Sequence, residues 1–258
     1  MPDFTIATEV SDDHVAVVTF RRGQHNFFSA EMIAALAGAF AELSASEHVR
    51  AVVLGSSGKH FCAGADLSGG VSGARLTSPD QVHIYDAAVR LFQQPLPVIA
   101  AVQGGAIGGG LGLALACDFR VASAASRFSA PFAGLGVHHG FGLSVTLPLV
   151  VGHQRALDLL LTGRRIGGEE AASIGLVDRL APVGGELAAA KELAAEIAGN
   201  APLAVRSIKA TLRSRLAAEV RAATRHEKAE QDRLFATHDA REGVRAGAER
   251  RRPEFLGR

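Results

Sequence analysis

Two glycine-rich segments constrain the fold of this 258-residue chain more than any other feature. Gly58-Lys-His-Phe-Cys-Ala-Gly-Ala-Asp-Leu-Ser-Gly-Gly70 follows the apolar run at residues 51–55. Gly104-Gly-Ala-Ile-Gly-Gly-Gly110 follows another at 96–102 and passes directly into an alanine-rich stretch at 110–117. Short uninterrupted apolar runs read as strands buried on both faces, which requires helices above and below the sheet. Both glycine segments therefore lie beyond strand C-termini, where α/β sheets bind their ligands. Glycine lets the backbone approach a ligand closely, and a helix that starts there aims free N–H groups at negative charge.

The remaining pattern fits an α/β fold. Residues 14–20 read as a strand, and residues 30–46 as a helix with Ile33, Leu36, Phe40 and Leu43 on one face. A helix is expected over 79–94, a buried helix over 110–117 and a strand over 119–122. From residue 142 the strand signals almost vanish. Apolar spacing predicts helices over 156–161, 169–174, 187–197 and 203–216, with Gly163, Gly175 and Gly199 as stops and Pro202 as a start. No long Ser/Pro/Gly linker or internal repeat divides the chain. The expected division is a core over residues 1–195 and a helical region over 196–258.

Composition removes several function classes. With 27 basic and 26 acidic residues the formal charge is +1, so no broad field attracts a phosphate backbone and nucleic acid is not an expected partner. No secretory leader or long uncharged apolar run is seen, which predicts a cytoplasmic protein with no membrane association. Cys62 and Cys117 have neither metal-ligand nor disulfide-framework spacing and are read as reduced core residues, with no metal expected. Neither glycine segment contains G-x-G-x-x-G. Gly58-Lys59 is followed by His60 where a phosphate-binding loop needs Ser or Thr, and no G-x-S-x-G is present. One glycine loop is ordinarily tight packing. Two in adjacent crossovers suggest paired backbone donors, which is what an oxyanion needs.

Taken together, these motifs resemble the crotonase superfamily, also called the enoyl-CoA hydratase/isomerase family. Phe61-Cys-Ala-Gly-Ala-Asp-Leu67 resembles its first oxyanion-hole segment, and Gly104–Gly110 continuing to Leu115-Ala-Cys-Asp118 resembles its second. Further similarity lies at residues 152–163, 169–177 and 242–255. The resemblance implies a ββα-superhelix core, a helical C-terminal trimerisation region, a homotrimer or homohexamer, and an acyl-CoA thioester as substrate, with coenzyme A part of that substrate and no separate cofactor. It implies that the backbone N–H groups of Ala65 and Gly109 grip the thioester oxygen. It also assigns Ala63, Asp66, Leu67 and Ser68 to the nucleotide and pantetheine, and Gln24 and His25 to the loop covering adenine.

The sequence departs from the family where hydratases carry two glutamates: the corresponding positions are Gly112 and Phe132. Neither side chain transfers a proton, so two-glutamate hydration is not expected. Isomerisation or decarboxylation, which need an oxyanion hole and one proton-transfer group, suit the sequence better. His138 and His139 are the candidate proton-transfer groups, because imidazole titrates near neutral pH; an ordinary loop pair is the competing reading. His83, Tyr85 and Asp86 are read as helix surface, and Phe27, Phe28, Phe132 and Phe141 as core before acyl channel. Asp66 is expected to stabilise its loop. Cys62 is no nucleophile unless His60 turns toward it, and Arg21-Arg22 and Arg250–Arg252 are solvated charge before phosphate contacts. The alternative function is a non-catalytic acyl-CoA carrier or sensor.

Overall fold

The computed structural model describes residues 3–67, 76–78 and 82–258. The main sheet joins β1 (Thr5–Val10), β2 (Val15–Arg21), β3 (Ala51–Ser56), β4 (Val98–Val102), β6 (Phe119–Ser123) and β9 (Arg179–Ala181) in that order. All pairs are parallel except β1 with β2. A small second sheet joins β5 (Gly105–Ile107), β7 (Arg127–Ser129) and β8 (Ile166–Gly167). β1, mostly exposed and polar on one side, carries little of the apolar signal that marks β2 to β4, and the sequence reading passed over it.

Alternation along the strands gives two cores. Val18, Val52, Leu54, Ala100 and Val102 face helices α1 (Ala30–Ala45), α2 (Ile84–Phe92) and α3 (Gly109–Ala116). Val15, Ala51, Val53, Ile99 and Val121 face α7 (Glu186–Ala198). Both strand faces are therefore buried, as the uninterrupted apolar runs require. Helix α1 starts where Ser29 accepts from the Met32 N–H, and its buried stripe holds Ile33, Leu36, Phe40 and Leu43 as the spacing predicts.

The second half is mostly helical: α4 (Leu143–Val151), α5 (His153–Thr162), α6 (Gly168–Ser173), α7, α8 (Pro202–Leu212), α9 (Leu216–Phe235) and α10 (His238–Glu249). Two expectations are corrected here. The helix expected to run through 203–216 is two helices, broken after Leu212, and β8 and β9 are strands too short to give a periodic signal. β9 is held beside β6 by the buried Arg120, whose guanidinium pairs with Asp178 at 2.7 Å and donates to the Leu176 carbonyl. Asp118, at the end of the second glycine motif, ties α8 to the core: it accepts from the Val98 N–H at 2.8 Å and from Lys209 at 2.6 Å, and pairs with Arg213.

Candidate active site

The two glycine segments lie side by side because their backbones pair. Phe61 N–H donates to Gln103, Cys62 N–H to Gly105, and Ile107 N–H back to Cys62, at 2.8, 3.0 and 3.0 Å. The second segment thus contains β5 and is not wholly loop. From the Cys62–Ala106 bridge, Ala65 and Gly109 are each three residues further along, so the pairing brings them to the same place. Gly64 makes this possible. Its φ is +88°, and a Cβ there would lie 2.8 Å from the Ile107 carbonyl oxygen and 3.5 Å from the Gly109 nitrogen. Gly109 opens α3, so its N–H has no partner within the helix. Neither the Ala65 nor the Gly109 N–H donates to any described residue.

Both residues line one cavity of about 100 Å³. Ala63, Leu67, Phe28, Phe132 and Phe141 line it as well, whereas Phe27 does not. Phe28 and Phe141 belong to the main core, as expected, and Phe132 packs against it; all three also line the cavity. Position 112 is closed to any side chain, since a Cβ on Gly112 would lie 2.6 Å from Phe141 Cβ and 2.8 Å from its ring. The aromatic group occupies the space a longer residue on α3 needs.

His138 and His139 stack on each other, with ring centroids 4.1 Å apart, but neither lines the cavity. Their neighbours Val137 and Gly140 do, and His139 meets the cavity-lining Phe132 edge to face at 6.5 Å. His139 Nε2 is 2.8 Å from the Ser144 hydroxyl, which donates to Glu227 at 2.6 Å. Burial, reinforced by the neighbouring imidazoles of His138 and His226, lowers the His139 pKa to about 4 and keeps it neutral at pH 7.

Tyr85 is not helix surface. It is buried, lines the cavity, and donates to Gln231 Oε1 at 2.6 Å, while Gln231 Nε2 donates to the His138 carbonyl at 2.9 Å. Burial pushes the Tyr85 phenol up, so its proton stays on. It is the titratable side chain among the described lining residues. His83 caps α2 and Asp86 is exposed, as expected of that helix.

Sequence reasoning missed Glu227, Gln231 and Phe235, which lie four residues apart on α9 and form one stripe facing this region. Glu227 is fully buried and accepts from the Gly142 and Ser144 N–H groups at 2.8 and 3.0 Å. Gln231 and Phe235 line the cavity. The four-residue spacing was visible, but two of the three are polar and gave no apolar periodicity.

Gln24 is exposed and His25 half-buried; their carbonyls accept from Lys59 and Ala63 at 3.0 and 3.1 Å. Asp66 is half-buried, engaged by neighbours, and near enough to Arg22 to help raise its pKa. Ser68 lies outside the described residues. Cys62 has no base: His60 Nδ1 accepts from Gly105 N–H, and burial pushes the thiol up to about 12. Arg22 and Arg251 are paired within the chain, with Asp3 and Glu242. Among the described residues no group of three His, Cys, Asp or Glu side chains is placed to hold a metal, and no helix is long and apolar enough to cross a membrane.

The profile of the enoyl-CoA hydratase/isomerase family matches residues 11–258. A Bacillus subtilis protein named as an enoyl-CoA hydratase/isomerase is 37% identical over 98% of both chains. A Thermus thermophilus protein named as an enoyl-CoA hydratase is 39% identical over 96% of this chain and 99% of its own. Among solved structures, an enoyl-CoA hydratase/isomerase from Pseudoalteromonas atlantica superimposes with a TM-score of 0.87 at 31% identity, covering 97% of this chain and 99% of that one. The chain belongs to the enoyl-CoA hydratase/isomerase family, the crotonase superfamily, and has its fold.

Proposed function

We propose that the protein binds an acyl-CoA thioester and stabilises its enolate with the backbone N–H groups of Ala65 and Gly109, in isomerase- or decarboxylase-type chemistry. The observation that carries this reading is the pair of unengaged N–H groups in one apolar cavity. Donors already oriented toward a developing oxyanion need no rearrangement as the charge appears, and losing one costs about 3 kcal/mol. The first turn of α3 adds its dipole at Gly109. Loss of CO₂ from a thioester carboxylated at its α-carbon, or of an α-proton from a 3-enoyl ester, leaves the electron pair of the broken bond in the enolate; one proton returned to carbon completes either reaction. Coenzyme A enters as part of the substrate, with Gln24, His25, Ala63, Asp66, Leu67 and Ser68 assigned to it.

Two-glutamate hydration is disfavoured because Gly112 has no room for a side chain and Phe132 carries no proton. His138 and His139 remain our candidates for proton transfer, reached past Phe132 and Gly140, with the Tyr85 hydroxyl as the competing group inside the cavity. The carrier or sensor reading is favoured by one observation: no carboxylate or imidazole is among the described lining residues. We place the protein in the cytoplasm as a homotrimer or homohexamer. Leu203 and Leu212 on α8, each 81% exposed, are suited to cover by another subunit. The core over 1–195 and the oligomerisation region over 196–258 remain our division of the chain.

The test combines calorimetric binding of crotonyl-CoA with three turnover measurements: its hydration, α-proton exchange of acyl-CoA in D₂O, and CO₂ release from a malonyl-type thioester. Binding with exchange or CO₂ release and only trace hydration is expected. Binding without turnover supports the carrier, and fast hydration overturns the chemistry. Unchanged turnover in His138→Ala/His139→Ala removes the histidines and passes the role to Tyr85.

A further inference from the structure

We propose that Phe141 sets the size of the acyl group and restricts the site to short chains, an inference that rests on the acyl-thioester reading above. Phe141 has φ +62°, in the left-handed region that a bulky side chain rarely enters. Such a conformation persists only where the surroundings over-determine it. Here they do so on both sides. Immediately after Phe141, the N–H groups of Gly142 and Ser144 are held by the buried Glu227 carboxylate. Immediately before it, Gly140 is packed so closely on the Tyr85–Gln231 pair that a Cβ there would lie 2.8 Å from Gln231 Nε2.

The ring held this way is 1% exposed and lies over Gly112, where α3 leaves it room. A Cβ on Gly109 would meet it at 3.7 Å and would collide with the Phe28 ring, whose centroid is 5.6 Å from that of Phe141. The two rings therefore crowd the Cα of Gly109, the residue that supplies the donor. An acyl chain leaving a carbonyl bound at that donor meets Phe141 as one of its first walls. Phe28, Phe132, Leu135, Val137 and Phe141 present only carbon to the cavity, and no lining side chain among the described residues bears a charge. The volume of about 100 Å³ is below the ~150 Å³ of a cavity that holds benzene. The strain at Phe141 is thus coupled to substrate choice: the backbone is bent to keep a ring beside the donor.

The test is calorimetric titration of butyryl-CoA and octanoyl-CoA into wild type, Phe141→Ala and Phe141→Leu, each checked for folding by circular dichroism. Wild type is expected to bind butyryl-CoA at least about tenfold more tightly than octanoyl-CoA. Phe141→Ala is expected to move that ratio at least about tenfold toward octanoyl-CoA, and Phe141→Leu by less. If the alanine variant does not fold, the leucine variant carries the test. Equal affinities in wild type, or an unchanged ratio in a folded variant, overturn the proposal while leaving the thioester reading intact. Failure of wild type to bind either ester overturns both.

Discussion

The two sides of the cavity are built by opposite means. On one side, residues 58–67 and 103–112 contribute backbone: paired segments approach so closely that side chains have no room at Gly64 and Gly110. On the other, residues 136–144 and helix α9 contribute side chains, with Glu227 reaching across 85 positions of sequence to hold Gly142. A backbone-built side is vulnerable to an added atom. A side-chain-built one is vulnerable to a lost atom, because buried donors are left behind.

Gly110→Ala is the strongest way to break the first side. Its methyl group would enter the space of the Cys62 carbonyl, which is itself bonded to Ile107, so neither can give way. A loss of about 4 kcal/mol or more is expected, read as failure to recover folded protein or as a large drop in the urea midpoint. A melting curve like that of wild type would show that the paired segments move freely, removing the contrast.

Glu227→Ala tests the second side by subtraction. Three hydrogen bonds to Gly142 and Ser144 disappear and two buried N–H groups lose their acceptor. Chemical denaturation should show a loss of about 2–3 kcal/mol. Cavity ligands should also lose selectivity before the main sheet loses its far-ultraviolet signal.

The last test sharpens the same contrast through pH. Folded His139 resists protonation until about pH 4, whereas an unfolded histidine takes its proton near 6.5. The unfolded chain therefore binds more protons between these values. The stability contributed by neutral His139 is complete above about pH 6.5 and falls as pH drops toward 4, by at most about 1.4 kcal/mol per pH unit. Melting curves of His139→Gln over this window should fall less steeply than wild type, and the two should run parallel above it. Identical slopes would mean that His139 is as solvated in the folded state as in the unfolded one.

The same division explains what was legible in the sequence. Residues 51–67 and 96–117 declared themselves because close backbone packing demands glycine locally, and local demands appear as motifs. Helix α1 declared itself through its apolar stripe. Tyr85, Glu227 and Gln231 did not. Each matters through a partner far away in sequence, such as the 146-residue separation of Tyr85 and Gln231, and a polar residue destined for burial looks in sequence like one destined for solvent. Phe141 was noticed as an aromatic but not as strained, since nothing in Gly-Phe-Gly says that the middle residue carries the positive φ.

The contribution of α9 also has a consequence in time. A chain leaving the ribosome completes its main sheet with β9 at Ala181, but the far wall of the cavity waits for Gln231 and Phe235, more than fifty residues later. At roughly 5–20 residues per second that is an interval of seconds. During it the donor loops can already exist while the apolar face they share stands open to water. Competence therefore arrives late and abruptly in synthesis, and a nascent chain stalled before residue 235 has the signature motifs of its family without an enclosed place to use them.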